Sequence, residues 1–228
     1  GARRLVLAGL HSHTSVLMTA GEGALLGHEI VLPVDAIAAP TEFDHQAALR
    51  EISFLYRGTL TTTRDLLSSA MGKPIASVSP NLDMRLPRPA VRRRVRLPAA
   101  KTALIVVDMQ NGMCHPQGTL GKSGVDMGPQ QAVIEPIAEV VRACQEAGIS
   151  DIWTLQEHYR EDKGRDAHRI QHHTLRRVNI LCEKGSWDIE ILDELKPLLN
   201  AKSHIIGKQK FSAFYSTTLD VLLRILGP

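Results

Sequence analysis

Residues 3–18, "RRLVLAGLHSHTSVLM", run from an apolar stretch through a short polar turn into the start of a second apolar stretch. A chain that passes from strand to turn to helix in so few residues is the opening half of a strand–helix unit of a parallel sheet. Outward from it, the same alternation continues. The spacing predicts a helix over 14–26, a strand over "EIVLPVDA" (29–36) and a helix over "FDHQAALREISFLY" (43–56), with Ala47, Leu49, Ile52 and Leu55 near helical spacing. A short β-branched strand, "GTLTTT" (58–63), and a helix, "RDLLSSAM", close this half.

A second half follows a break. Residues 73–100, "KPIASVSPNLDMRLPRPAVRRRVRLPAA", carry five prolines and no sustained periodicity, the composition of a linker or surface segment. Then come a buried strand, "TALIVVD" (102–108), and a helix over 130–148 with Val133, Ile137, Val140, Val141 and Cys144 on one face, ended by Gly148. "DIWTLQ" and "SHIIGK" read as strands, "WDIEILDEL" as a helical turn or two, and "TTLDVLLRILG" as a final helix. Six strands, each followed by helix or loop, predict a three-layer α/β fold.

Composition narrows the function classes. The chain has 228 residues, 43% apolar and 22% charged, enough for one well-cored domain. Its net charge of +3 makes no case for nucleic acid or an anionic membrane. The basic clusters at 92–96 and 168–177 read as solvated surface, with local anion binding open to the second. No apolar run has the length of a membrane span, and no secretory signal is expected from "GARRLVLAGLHSH". Three widely spaced cysteines, Cys114, Cys144 and Cys182, read as reduced thiols of a cytoplasmic protein, not a disulfide framework or zinc site.

Chemistry gathers at three places. Asp108 ends an apolar strand, at the edge where ligand groups of an open parallel sheet collect; a carboxylate buried there is an ion-pair partner or a base. Lys208 ends another strand, and a long stem lets it reach across a neighbour. Ser15 sits where a helix begins, so it is a helix cap or a nucleophile.

Several stretches together resemble the isochorismatase-like (cysteine hydrolase) superfamily. "ALIVVDMQNGM" matches that family's D-x-Q motif, with Asp108 and Gln110, and "GKQKFSAF" matches K-x-R-[YF]-S-A-F, with Lys208, Lys210 in place of arginine, and Phe214. "GLHSHTSVLMTA" matches G-V-x-T-H-x-C-V-x-x-T-A, with Gly9, Ser12 and His13 in place and Ser15 at the cysteine. The resemblance implies an α/β/α Rossmann-like fold with a six-stranded parallel sheet, order 3-2-1-4-5-6 in family numbering. The halves stand in swapped order: residues 1–72 resemble the family's C-terminal half and 101–228 its N-terminal half, joined by 73–100 into one permuted domain spanning 1–228. A cut through a tandem protein gives the same motifs.

The resemblance also assigns roles. Asp108 takes the nucleophile's proton, Lys208 is the active-site lysine, and the amides of Thr14 and Ser15 form an oxyanion hole, with His13, Gln110 and Phe214 beside the substrate. Ser15 leaves three readings open: an engineered replacement of cysteine, a natural serine branch, or an isochorismatase-type vinyl ether hydrolase that uses Asp108 alone. A catalytically dead binding protein is the remaining class. Nicotinamidases of the family bind zinc through D-x-H; "LQEHYRED" offers Glu157 and Tyr159 there, so no metal and no cofactor are expected. The Arg- and His-rich insertion after that strand, with His172 and His173 in an exposed loop, and "KGSWD" point to a polar or anionic small amide or ureido acid as substrate. Family members are commonly dimers or tetramers, so a homo-oligomer is expected.

Overall fold

The computed structural model describes residues 1–70, 97–159 and 180–226. Most of the linker segment, His172, His173 and both basic clusters lie outside the described residues. In chain order the elements are β1 (Arg4–Leu10), α1 (Leu17–Leu25), β2 (Glu29–Pro33), β3 (Ile37–Ala38), α2 (Glu42–Leu55), β4 (Thr59–Thr61), α3 (Thr63–Ala70), β5 (Thr102–Val107), α4 (Asn111–Cys114), α5 (Thr119–Lys122), α6 (Gly128–Ala132), α7 (Ile134–Glu146), β6 (Ser150–Gln156), β7 (His204–Lys208) and α8 (Leu219–Ile225).

The sheet is parallel throughout, in the order β4-β2-β1-β5-β6-β7, with β3 paired to the upper end of β1. That is the expected order with one short strand added. The addition has a local cause. Pro33 has no N–H to continue the ladder, so β2 stops and turns, and Ile37 and Ala38 pair with Gly9 and Leu10 instead. Asp35, in that turn, accepts from the Thr63 amide at 2.7 Å and its hydroxyl at 3.0 Å, which fixes the start of α3.

All six residues of β5 are buried. Alternation along the central strands sends Val6, Ala8, Leu104 and Val106 into one core with Leu66 of α3 and Ile137, Val140 and Val141 of α7. Leu5, Leu7, Ala103, Ile105 and Val107 face a second core with Val16, Ala20, Leu49, Ile52, Leu219 and Leu223 from the α1, α2 and α8 side. Three layers follow from a sheet apolar on both faces. The expected face of α7 is buried as spaced, but its single helix over 130–148 is two. Pro136 cannot donate to residue 132 and its ring crowds that carbonyl, so the helix breaks at Val133. In α2, Leu55 is exposed and Ala48 takes the buried position beside Leu49 and Ile52.

The two ends of the described chain meet: the Ala2 amide donates to the Leu223 carbonyl at 2.9 Å. Among the described residues, no helix is long and apolar enough to cross a membrane.

Candidate active site

β1, β5, β6 and β7 all end at one edge of the sheet, and their last side chains converge there. At the end of β5 the backbone leaves the sheet abruptly, because Asp108 holds φ +52°, a left-handed conformation that aspartate tolerates better than most residues. β1 approaches so closely that a Cβ on Gly9 would stand 2.1 Å from the Val107 carbonyl oxygen; only glycine fits, at φ +110°.

After β1 the chain makes a wide turn over Ser12–Val16, in which the Val16 amide reaches back to the His11 carbonyl at 3.2 Å. Such π-type turns recur at functional sites. Ser15 lies inside it, 4% exposed. It is not a helix cap: α1 begins two residues later, and its N-terminus has no side-chain cap. Its hydroxyl faces Lys208 at 3.3 Å and lies within hydrogen-bonding reach of the Asp108 carboxylate.

Lys208 is fully buried, and its Nζ meets four acceptors: Asp108 Oδ2 at 2.7 Å, Gln156 Oε1 at 2.9 Å, the Lys210 carbonyl at 3.2 Å and Ser15 Oγ at 3.3 Å. The stem crosses the end of β6 to do so, since β7 stands two places from β5. Lys210 turns its own side chain to solvent. Asp108 also accepts from the Thr154 hydroxyl at 3.3 Å. Burial pushes the Asp108 carboxyl up, against the Lys208 charge and the hydrogen bonds from Lys208, Ser15 and Thr154 that pull it down.

Four of the expected substrate-side residues have surroundings of their own in this structure. The Thr14 amide donates to the His11 carbonyl at 3.1 Å, so that N–H is spent inside the turn and does not face a substrate oxygen. Gln110 is buried with both ends of its carboxamide bound to protein backbone, which leaves nothing to offer a substrate. Phe214 packs against His28, ring centroids 6.0 Å apart, and against α1 at Gly23, beside Leu5 and Ile30 at the opposite edge of the sheet. It is a core residue there, because the segment after Lys208 is drawn down onto α1. His13 is half-buried toward α2, where burial lowers its pKa against the pull of Asp44. Two contributors were missed: Thr154 and Gln156 on β6. Gln156 ends its strand as Asp108 and Lys208 nearly do, and that shared position was the available signal.

The zinc-type position carries no zinc set. Glu157 is tied to Lys184 at 3.6 Å and to the Tyr159 hydroxyl at 3.3 Å, and Tyr159 supplies a phenol where an imidazole is wanted. Among the described residues no group of three or more His, Cys, Asp or Glu side chains gathers as metal ligands.

With this geometry, the isochorismatase domain is matched over residues 1–65 and 102–228. The chain belongs to the isochorismatase-domain family. It is 35% identical over 146 residues to the ureidoacrylate amidohydrolase RutB of Acinetobacter baylyi, covering 58% of each chain. The RutB of Methylobacterium radiotolerans is 37% identical over 150 residues, covering 61% of this chain and 57% of that one. A cysteine hydrolase structure from Pseudomonas syringae pv. phaseolicola aligns with TM-score 0.47 and 26% identity over 62% of this chain and 60% of that chain. The chain therefore spans less than two thirds of the length of these isochorismatase-family relatives.

Proposed function

We propose that this isochorismatase-family chain is built as a hydrolase of small linear amides or ureido acids, with position 15 as the point of attack. The observation that carries the reading is the buried Lys208 Nζ, 2.7 Å from Asp108 and 3.3 Å from Ser15. The relatives named as ureidoacrylate amidohydrolases support the substrate class.

In this reading the nucleophile at position 15 adds to the amide carbonyl carbon while its proton passes to Asp108. Burial makes Asp108 a stronger base than an exposed carboxylate. The C–N bond then breaks, and Asp108 returns the proton to the departing nitrogen. Water hydrolyses the acyl-enzyme by the same proton route. The Lys208 ammonium holds Asp108 in place and offers positive charge beside the attacking atom. A serine in this frame is a weak nucleophile without an imidazole base, whereas a cysteine next to Lys208 is activated.

The test is Ser15→Cys. The variant is expected to hydrolyse one or more members of a panel of small amides and ureido acids, and to be alkylated by iodoacetamide at residue 15. The native thiols do not compete: burial pushes Cys144 up to about 12 and raises Cys114 and Cys182 as well. No gain on any amide overturns the proposal. The hydroxyl at position 15 favours a second reading, vinyl ether cleavage by Asp108 alone. That reading expects isochorismate turnover by the unaltered chain, lost in Asp108→Ala and kept in Ser15→Ala.

A further inference from the structure

β5 departs from the sheet at Asp108, so β6 loses its neighbour on that side one step before its own last residue. The exposed rung is Gln156, whose N–H and C=O would both be left without a partner in a buried place. Gln110 replaces the missing strand. Its Oε1 accepts from the Gln156 amide at 2.8 Å, its Nε2 donates to the Gln156 carbonyl at 3.0 Å, and its other N–H reaches the Ile189 carbonyl at 2.9 Å. On the other side Gln156 pairs with Lys208 itself, and the Glu157 amide donates to the Lys208 carbonyl at 2.8 Å.

With its N–H and C=O both taken by Gln110, Gln156 has one outlet, its side chain. An ammonium only donates, so the Gln156 atom 2.9 Å from Lys208 Nζ is the carbonyl oxygen. The NH₂ group then faces His158 Nε2 at 3.4 Å, which accepts. An ammonium has three N–H groups, and here it has four acceptors. Gln156 engages one hydrogen without adding charge, and Asp108 engages another. The third is shared between the Lys210 carbonyl and Ser15. A carboxylate at 156 would compete with Asp108 for the ammonium. An apolar residue would leave three acceptors for the three hydrogens and the ammonium free to swing toward the Lys210 carbonyl.

We propose that Gln156, held in place by Gln110, is a positioning residue that aims the Lys208 charge at the side chain of position 15. The proposal rests on the reading of position 15 as the reacting group and adds to it Gln156, which the family motifs do not mark.

The experiment uses the thiol of the Ser15→Cys chain as the reporter, titrated by its ultraviolet thiolate absorbance and by the pH dependence of its iodoacetamide rate. Neither measurement needs a substrate, so the outcome is independent of whether any amide is turned over. The Ser15→Cys thiol is expected below the ordinary cysteine value. Adding Gln156→Met is expected to raise it by about one unit, roughly a tenfold loss of thiolate below both pKa values. Adding Lys208→Met raises it further. In the Lys208→Met background, Gln156→Met is expected to do nothing more, because its effect runs through Lys208. Gln156→Asn, one methylene too short to reach the ammonium, carries the same expectation should the methionine variant not fold. A thiol of ordinary pKa in Ser15→Cys, an unchanged thiol in a folded Gln156 variant, or an equal Gln156 effect with and without Lys208 each overturns the proposal.

Discussion

Lys208 is among the largest fully buried side chains of the chain, and an ammonium in that position is costly unless its donors and its charge are both met. Asp108 meets the charge, at 2.7 Å, with neither side chain exposed. Removing one partner of such a pair is worse than removing both, since it strands a buried charge; the expected cost of Lys208→Met is about 3–5 kcal/mol. The pH dependence carries a sign. Without the lysine, only the hydrogen bonds from Ser15 and Thr154 oppose burial at Asp108, and its carboxyl rises further above the ordinary 3.8. The folded state then holds that proton more tightly than the unfolded chain does. Stability is therefore fully present below the unfolded value and lost as pH rises through the folded one. Urea melts of Lys208→Met are expected to show a higher midpoint at pH 5 than at pH 8, and Asp108→Asn/Lys208→Met should recover most of the loss at pH 8. A midpoint that rises from pH 5 to pH 8 would contradict this account.

Between elements, the site is set by how the segment after β7 is fastened to α1. The Ala213 amide donates to Thr19 Oγ1 at 3.0 Å, and the Ser212 hydroxyl donates to Glu22, both on α1. One helix thus follows Ser15 and also anchors the loop that follows Lys208. Thr19 is buried, so Thr19→Val keeps the shape, leaves the Ala213 N–H unmet and is expected to cost about 1–3 kcal/mol. Hydrogen exchange at Ala213 should accelerate more than at core amides of β5; equal acceleration everywhere would mean plain global destabilisation. This fastening explains what the sequence could and could not tell. Asp108, Lys208 and Ser15 stand at the ends of apolar runs, and position at a strand end is legible from periodicity and motif. Phe214 and Gln110 carry the same motifs, yet their roles depend on which way a loop turns. Phe214 was carried down onto α1, and Gln110 was consumed by a strand rung that exists only because Asp108 bends the backbone. Neither bend leaves a periodic trace. The break at Val133 has its trace in Pro136, and β3 has its own in Pro33, each a residue without the N–H that the surrounding apolar pattern calls for.

At the scale of the whole molecule, strand order was legible because the two halves each keep their own local patterns, and the pairing of β1 with β5 joins the two long runs of buried apolar residues at the centre of the sheet. We propose that the chain is a permuted single domain of the isochorismatase type. Ala2 is hydrogen-bonded to Leu223, so a joint of three or four residues, on the order of 10 Å when extended, would link the last turn of α8 to β1 without moving either. None of the strand pairs depends on a covalent path through residues 73–96, so opening the chain there changes connectivity and leaves every observed rung intact. The expected outcome is that a chain rejoined at residues 226 and 2 and opened between 73 and 96 folds with the same circular dichroism and, carrying Ser15→Cys, is alkylated at position 15 at a similar rate. The rival is an exchange in which each half is completed by another copy, with Asp108 of one facing Ser15 of the next. Under that rival the rejoined chain loses its partner-dependent site, and alkylation falls steeply on dilution while the rate of a true single domain stays constant.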